Sequence, residues 1–133
     1  MITKADTLPV SSGSDIIRVR QSVRDAAVGA GLSLIDQTKI VTAASELVRN
    51  MVDYGGGGEV TIEVHDLGGR RGVKVVFEDH GPGIADVEQA LRDGYTTGGG
   101  LGLGLGGARR LSNEFEIASK PGEGTRVMIA RWK

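Results

Sequence analysis

Three groups of residues in this 133-residue chain have types and spacings suited to chemistry. In SELVRN (45–50), Glu46 and Asn50 stand four apart, so on a helix both point along one face. A carboxylate there can act as general base on a hydroxyl. A neutral amide oxygen is a hard ligand for Mg²⁺, which keeps several waters and phosphate oxygens. In FEDHGPGI (77–84), Asp79 ends a strand pattern and is followed by Gly81 and Gly83. Such a carboxylate can accept a hydrogen bond from an exocyclic amine such as that of adenine, while the glycines leave room for a flat base. Taken singly, the first pair also suits a solvated helix face, and the second an ordinary turn with an Asx contact.

The third group is TTGGGLGLGLGGARR (96–110), which carries Gly98, Gly100, Gly102, Gly104 and Gly107. Gly102-x-Gly104-x-x-Gly107 spells a dinucleotide fingerprint, but that motif needs a strand before it, and DGYTTGG is no strand. A Walker loop needs a lysine after the glycines, and none follows. A plain linker fits poorly, because helix and strand patterns continue on both sides. What remains is a glycine loop entering a helix, whose backbone N–H groups can cradle a phosphate chain. Leu101, Leu103 and Leu105 would anchor that cradle to the core. His80 is expected to face solvent, His65 to serve a strand, and the glycines at 55–58 to form a loop without a ligand.

The elements that must position these groups follow from periodicity. Residues 1–13 are polar with a proline and are expected to be loosely ordered. DIIRVRQ (15–21) is rich in β-branched residues and predicts a first strand, with a short helix over 22–31. The strongest helix spans 34–54, with Ser33 as N-cap, Asp36 three residues on, and Ile40, Ala44, Leu47 and Met51 facing the core. EVTIEVHD (59–66) and GVKVVFED (72–79) form a hairpin across LGGRR. DVEQALRD (86–93) is a short helix, and another spans 103–112. EFEIASK (114–120) and TRVMIARW (125–132) finish as a strand pair around PGEG. This order predicts an α+β, two-layer sandwich with a mixed, mostly antiparallel sheet and helices on one face, all in a single domain over 1–133.

Composition excludes several functions. The 16 basic and 17 acidic residues leave a net charge of −1, so nucleic acid is not the expected partner. There are no cysteines for thiol chemistry or thiolate metal sites, and two histidines offer little for zinc. No apolar run nears 18 residues and no signal-peptide pattern opens the chain, so a cytoplasmic protein without membrane contact is expected. The sequence leaves homo-oligomerisation open.

In combination and order, the three groups resemble the GHKL ATP-binding fold shared by histidine-kinase catalytic domains, gyrase-type ATPases and anti-sigma kinases. SELVRN looks like its N box, DHGPG like its first glycine box, and TTGGGLGLGLGG like its second. GEGT (122–125) also matches, placing Thr125 where that family has a hydroxyl near the base. The resemblance implies ATP and Mg²⁺ as cofactors, with Asp79 recognising adenine, Asn50 holding Mg²⁺ and Glu46 as the base. TAASELVRN, EDHGPGI, DGYTTGGGLGLGL and RRLSNEF look further like the RsbT-type serine/threonine kinases of the stressosome partner switch, over about 15–132. That branch implies phosphoryl transfer to a STAS-domain antagonist or scaffold, and binding of a downstream phosphatase or other effector on release. The alternative is a nucleotide-dependent anti-sigma factor or binding switch with little turnover. The segment 83–98 is expected to act as a lid that orders on ATP binding.

Overall fold

The computed structural model describes residues 1–92 and 104–133. Its elements are β1 (Ile2–Val10), α1 (Ser14–Gly29), α2 (Leu34–Asp53), β2 (Gly58–Leu67), β3 (Arg70–Asp79), α3 (Val87–Ala90), α4 (Gly104–Arg110), β4 (Glu114–Ser119) and β5 (Thr125–Trp132). The five strands form one sheet in the order β1-β2-β3-β5-β4, and every pairing is antiparallel. The sheet is therefore purely antiparallel where a mixed one was expected.

Two expectations at the start of the chain are corrected. Residues 2–10 are not loose: they pair along β2, and the Met1 amino group donates to the Asp66 carbonyl at 2.9 Å. Residues 15–21 are not a strand but the first half of α1. Its buried residues Val19, Val23 and Ala27 recur every four positions while Gln21 and Asp25 between them are exposed; a strand would put all five on one face, and a helix does not. Asp15 anchors its start, accepting from the Ser11 and Ser12 backbone N–H groups at 2.8 and 3.2 Å. Those backbone donors hold its carboxyl below the usual range.

The long helix forms as its pattern demands. Ser33 caps α2, its Oγ accepting from the Asp36 N–H at 3.1 Å. Ile40, Ala44, Leu47 and Met51 are all buried. They meet Val60, Ile62, Val73, Val75, Phe77, Val127 and Ile129 from one face of the sheet. The opposite face has its own small cluster of Val76, Met128 and Ala130. Arg131 braces the start of α2 to the end of α4. Its Nε donates to Asp36 Oδ1 at 2.9 Å and its Nη1 to the Leu111 carbonyl at 3.1 Å. That guanidinium depresses the Asp36 carboxyl below the ordinary carboxylate range.

Candidate functional site

The sheet ends in one row of partners that crosses all five strands: Val10, Gly58, Asp79, Thr125 and Ser119. Asp79 and Thr125 are directly opposite each other, so their side chains share a face at close range. Two backbone N–H groups fix one carboxylate oxygen: Gly81 and Thr125 donate to Asp79 Oδ1 at 3.0 and 3.2 Å. Oδ2 has no such partner among the described residues and lies over the Cα of Gly55. A Cβ on Gly55 would stand 2.5 Å from it. The carboxylate is thus oriented by the backbone with one oxygen free to accept.

The glycines around Asp79 permit close packing of backbone on backbone. A Cβ on Gly81 would meet the Gly55 Cα and carbonyl oxygen at 2.7 Å, and one on Gly83 would stand 2.0 Å from the Lys120 carbonyl oxygen. Gly83 also has φ +76°, open to glycine at no steric cost. The room these residues make is therefore filled by neighbouring chain. The 80–84 turn is tied to the β4–β5 turn at two further points. Gly122 N–H donates to the Pro82 carbonyl at 2.7 Å, and Ile84 N–H to Ser119 Oγ at 2.8 Å.

The end of α2 meets this turn. Gly55 N–H donates to the Asn50 and Met51 carbonyls, and Gly57 N–H to Met51. An open cleft of about 540 Å³ lies there, lined by residues 54–58 and 80–82. The Tyr54 ring is 46% exposed and borders it, as does His80. Running back along α2 from Tyr54, Asn50 is about one turn away and Glu46 about two, or about 12 Å. Both side chains are half-buried on the same helix face. Among the described residues neither is spent on a hydrogen bond or ion pair.

The structure thus brings Asp79, Thr125, Gly81 and Gly83 together around one turn, with the Glu46–Asn50 face leading away along α2. Gly98, Gly100 and Gly102 lie outside the described residues, as do Leu101, Leu103 and residues 93–98 of the expected lid. Gly104 opens α4 with φ +63°, and Leu105 is buried, as expected of an anchor. Sequence reasoning missed three residues. Tyr54 had a findable signal, an aromatic cap four residues after Asn50. Gly55 was hidden in a run of four glycines. Ser119 carries no sequence signal: its Oγ contacts the Ile84 N–H, the Gly124 carbonyl (3.1 Å) and Thr125 Oγ1 (2.8 Å) through the fold alone.

The chain is 44% identical over 118 residues to the serine/threonine-protein kinase RsbT of Bacillus subtilis, covering 89% of each chain. It is 30% identical over 123 residues to an anti-sigma F factor of Clostridium novyi, covering 84% of this chain and 85% of that one. In fold it is similar to the structure of the RsbU and RsbW domains of a Mycobacterium tuberculosis protein, with a TM-score of 0.64 at 21% identity. That match covers 98% of this chain and 33% of the other. The family model for histidine kinase-, DNA gyrase B- and HSP90-like ATPases matches residues 35–133, a span that includes four strands of the row and Glu46, Asn50 and Asp79. The chain belongs to that ATPase family.

Proposed function

We propose that this chain is an ATP-dependent protein serine/threonine kinase of a partner switch, using Glu46 as base and Asp79 as the adenine-reading group. The observation that carries this reading is the state of the Asp79 carboxylate. One oxygen is held by two backbone N–H groups, the other has no hydrogen-bond partner among the described residues, and a cleft lined by Gly55 and Gly81 opens at the end of α2, the helix that carries Asn50 and Glu46. A 6-amino group donating to Oδ2 sets the base end. The triphosphate then runs along α2, toward the loop that carries Gly98, Gly100, Gly102 and Gly104. Thr125 adds a hydroxyl beside Asp79, and the Tyr54 ring offers a face for the base.

Asn50 fits Mg²⁺ by its chemistry, since its amide is half-buried and has no partner among the described residues. Among the described residues no cluster of three His, Cys, Asp or Glu side chains stands ready to cage a metal. The amide oxygen would therefore hold the ion together with phosphate oxygens and water. The ion supplies charge neutralisation on the phosphates. Glu46 accepts the proton of the attacking Ser or Thr hydroxyl as that oxygen bonds to the γ-phosphorus. The bond from the γ-phosphorus to the β,γ-bridging oxygen breaks, and ADP leaves. Backbone N–H groups of the glycine loop steady the charge on the transferred group.

The substrate is a STAS-domain antagonist or scaffold, and the released kinase engages a phosphatase or other effector. The kinase relative of B. subtilis supports the transfer reaction. A cytoplasmic site of action accords with the absence, among the described residues, of any helix long and apolar enough to cross a membrane. The anti-sigma F factors among the relatives favour a second reading, a nucleotide-dependent anti-sigma factor or binding switch with little turnover. Incubation with labelled ATP, Mg²⁺ and a candidate STAS protein separates the two. Label on the partner supports the kinase, and tight binding without label supports the switch. Glu46→Ala should abolish transfer and retain nucleotide binding. Normal transfer by that variant would remove Glu46 from the role of base.

A further inference from the structure

Ser119 sits at the meeting point of three polar groups but has one proton. The Ile84 N–H can only donate to it, and the Gly124 carbonyl can only accept from it. The third contact, to Thr125 Oγ1 at 2.8 Å, allows either direction by geometry alone. The neighbours decide it. Gly124 is buried, and its carbonyl receives its donor from Ser119. Turning the Ser119 proton toward Thr125 would strand that carbonyl, a loss with no compensating gain. The Ser119 proton therefore stays on Gly124, and the Thr125 proton is drawn to Ser119.

From this wiring we infer that Ser119 is a specificity-determining residue: by taking the proton of Thr125, it turns the Asp79–Thr125 edge into an acceptor-only surface that selects a 6-amino over a 6-oxo purine nucleotide. The inference rests on the nucleotide reading above. Asp79 Oδ2 is an acceptor by its charge, and Thr125 Oγ1 becomes one by the direction of its hydrogen bond. A base presenting N–H groups at position 6 satisfies both oxygens, whereas a base presenting a carbonyl there meets lone pairs. Ser119 touches no ligand in this scheme. It acts through Thr125.

The test compares ATP with inosine triphosphate, which carries an oxo group at position 6. Dissociation constants are measured by calorimetry for the wild-type chain, Ser119→Ala and Ser119→Thr. The wild type should prefer ATP by about tenfold or more, the worth of one hydrogen bond gained or opposed. In Ser119→Ala the Thr125 hydroxyl is free to turn its proton outward, and the preference should fall about tenfold. Ser119→Thr keeps the hydroxyl and should restore it. A purely bracing role would weaken both nucleotides alike, because Ser119→Ala also releases Ile84 and Gly124. An unchanged ATP preference in Ser119→Ala, whatever the absolute affinities, overturns the inference while leaving the nucleotide reading standing. A wild-type chain that binds neither nucleotide overturns both.

Discussion

Gly55→Ala is a small change aimed at one carboxylate. Gly55 has no left-handed φ, so alanine suits its backbone and tends to stabilise the chain by about 0.4–1 kcal/mol through the unfolded state. The added methyl, however, would lie 2.5 Å from Asp79 Oδ2, 2.6 Å from Cγ and 2.9 Å from Cβ. The side chain cannot simply lean away, because Oδ1 is held by the Gly81 and Thr125 N–H groups. Asp79 must break those bonds or swing Oδ2 out of place. Either way the proposed bond to the adenine amine is lost, at about 1.5–3 kcal/mol for a hydrogen bond to a charged group. That is about 10- to 150-fold in ATP affinity, with little change in melting temperature. Calorimetric titration of ATP into wild type, Gly55→Ala, Asp79→Ala and the double variant completes a cycle. With Asp79 truncated the methyl no longer meets Oδ2 or Cγ but only the retained Cβ, so the double variant should bind like Asp79→Ala alone. Additive losses, or Gly55→Ala binding within twofold of wild type, would refute the reasoning. Gly68→Ala is the control: it strains a φ of +63° at the far end of the sheet but meets nothing within 4 Å, so it should cost stability and spare affinity.

Two further outcomes concern stability. Ser45 Oγ is buried without a hydrogen-bond partner among the described residues, so Ser45→Ala should raise stability by about 1 kcal/mol and the melting temperature by about 4 °C; a lower melting temperature would show that the hydroxyl has a partner in solution. Asp36 has its folded pKa depressed by Arg131, so its contribution is full above the unfolded value and is lost as pH falls through the folded one. Melting curves from pH 6 down to about pH 2 should therefore fall less steeply for Asp36→Asn than for wild type, with the variant about 1–3 kcal/mol weaker at neutral pH; parallel curves would deny the ion pair its role.

Much of this fold is legible where burial is one-sided and regular. The α2 stripe and β2 bury one face and β4 alternates exposed with half-buried residues, so their periods survive in the sequence, while β3 and β5 are buried on both faces and read as short apolar runs. β1 is nearly silent because it is an edge strand: of its nine residues only Val10 is buried, and alternation has nothing to record. The start of α1 misleads for the opposite reason. Ile16, Ile17 and Val19 favour a strand locally, while the spacing of Val19, Val23 and Ala27 over three turns prevails once the helix packs. The candidate site divides along the same line. Glu46, Asn50 and Asp79 are legible because charge and amide side chains stand out beside apolar patterns. Ser119 and Gly55 matter through partners 5 to 35 residues away, contacts that exist only after the strands have paired.

The row from Val10 to Ser119 spans about 19 Å, five strands at about 4.8 Å spacing. Facing alternates at every residue, so inserting or deleting one residue in any strand before this row turns that strand's contribution to the opposite side. A change of two restores the facing but shifts it by about 7 Å along the strand. The sheet can absorb such changes only at its other end, where Gly68 and Gly69, both exposed and both at positive φ, close the β2–β3 hairpin. Tolerance to changes in chain length should therefore run as a gradient along the strands: a peptide tag spliced at the Gly68–Gly69 turn leaves the row in line, and a single residue added near Gly58 or Gly124 breaks it.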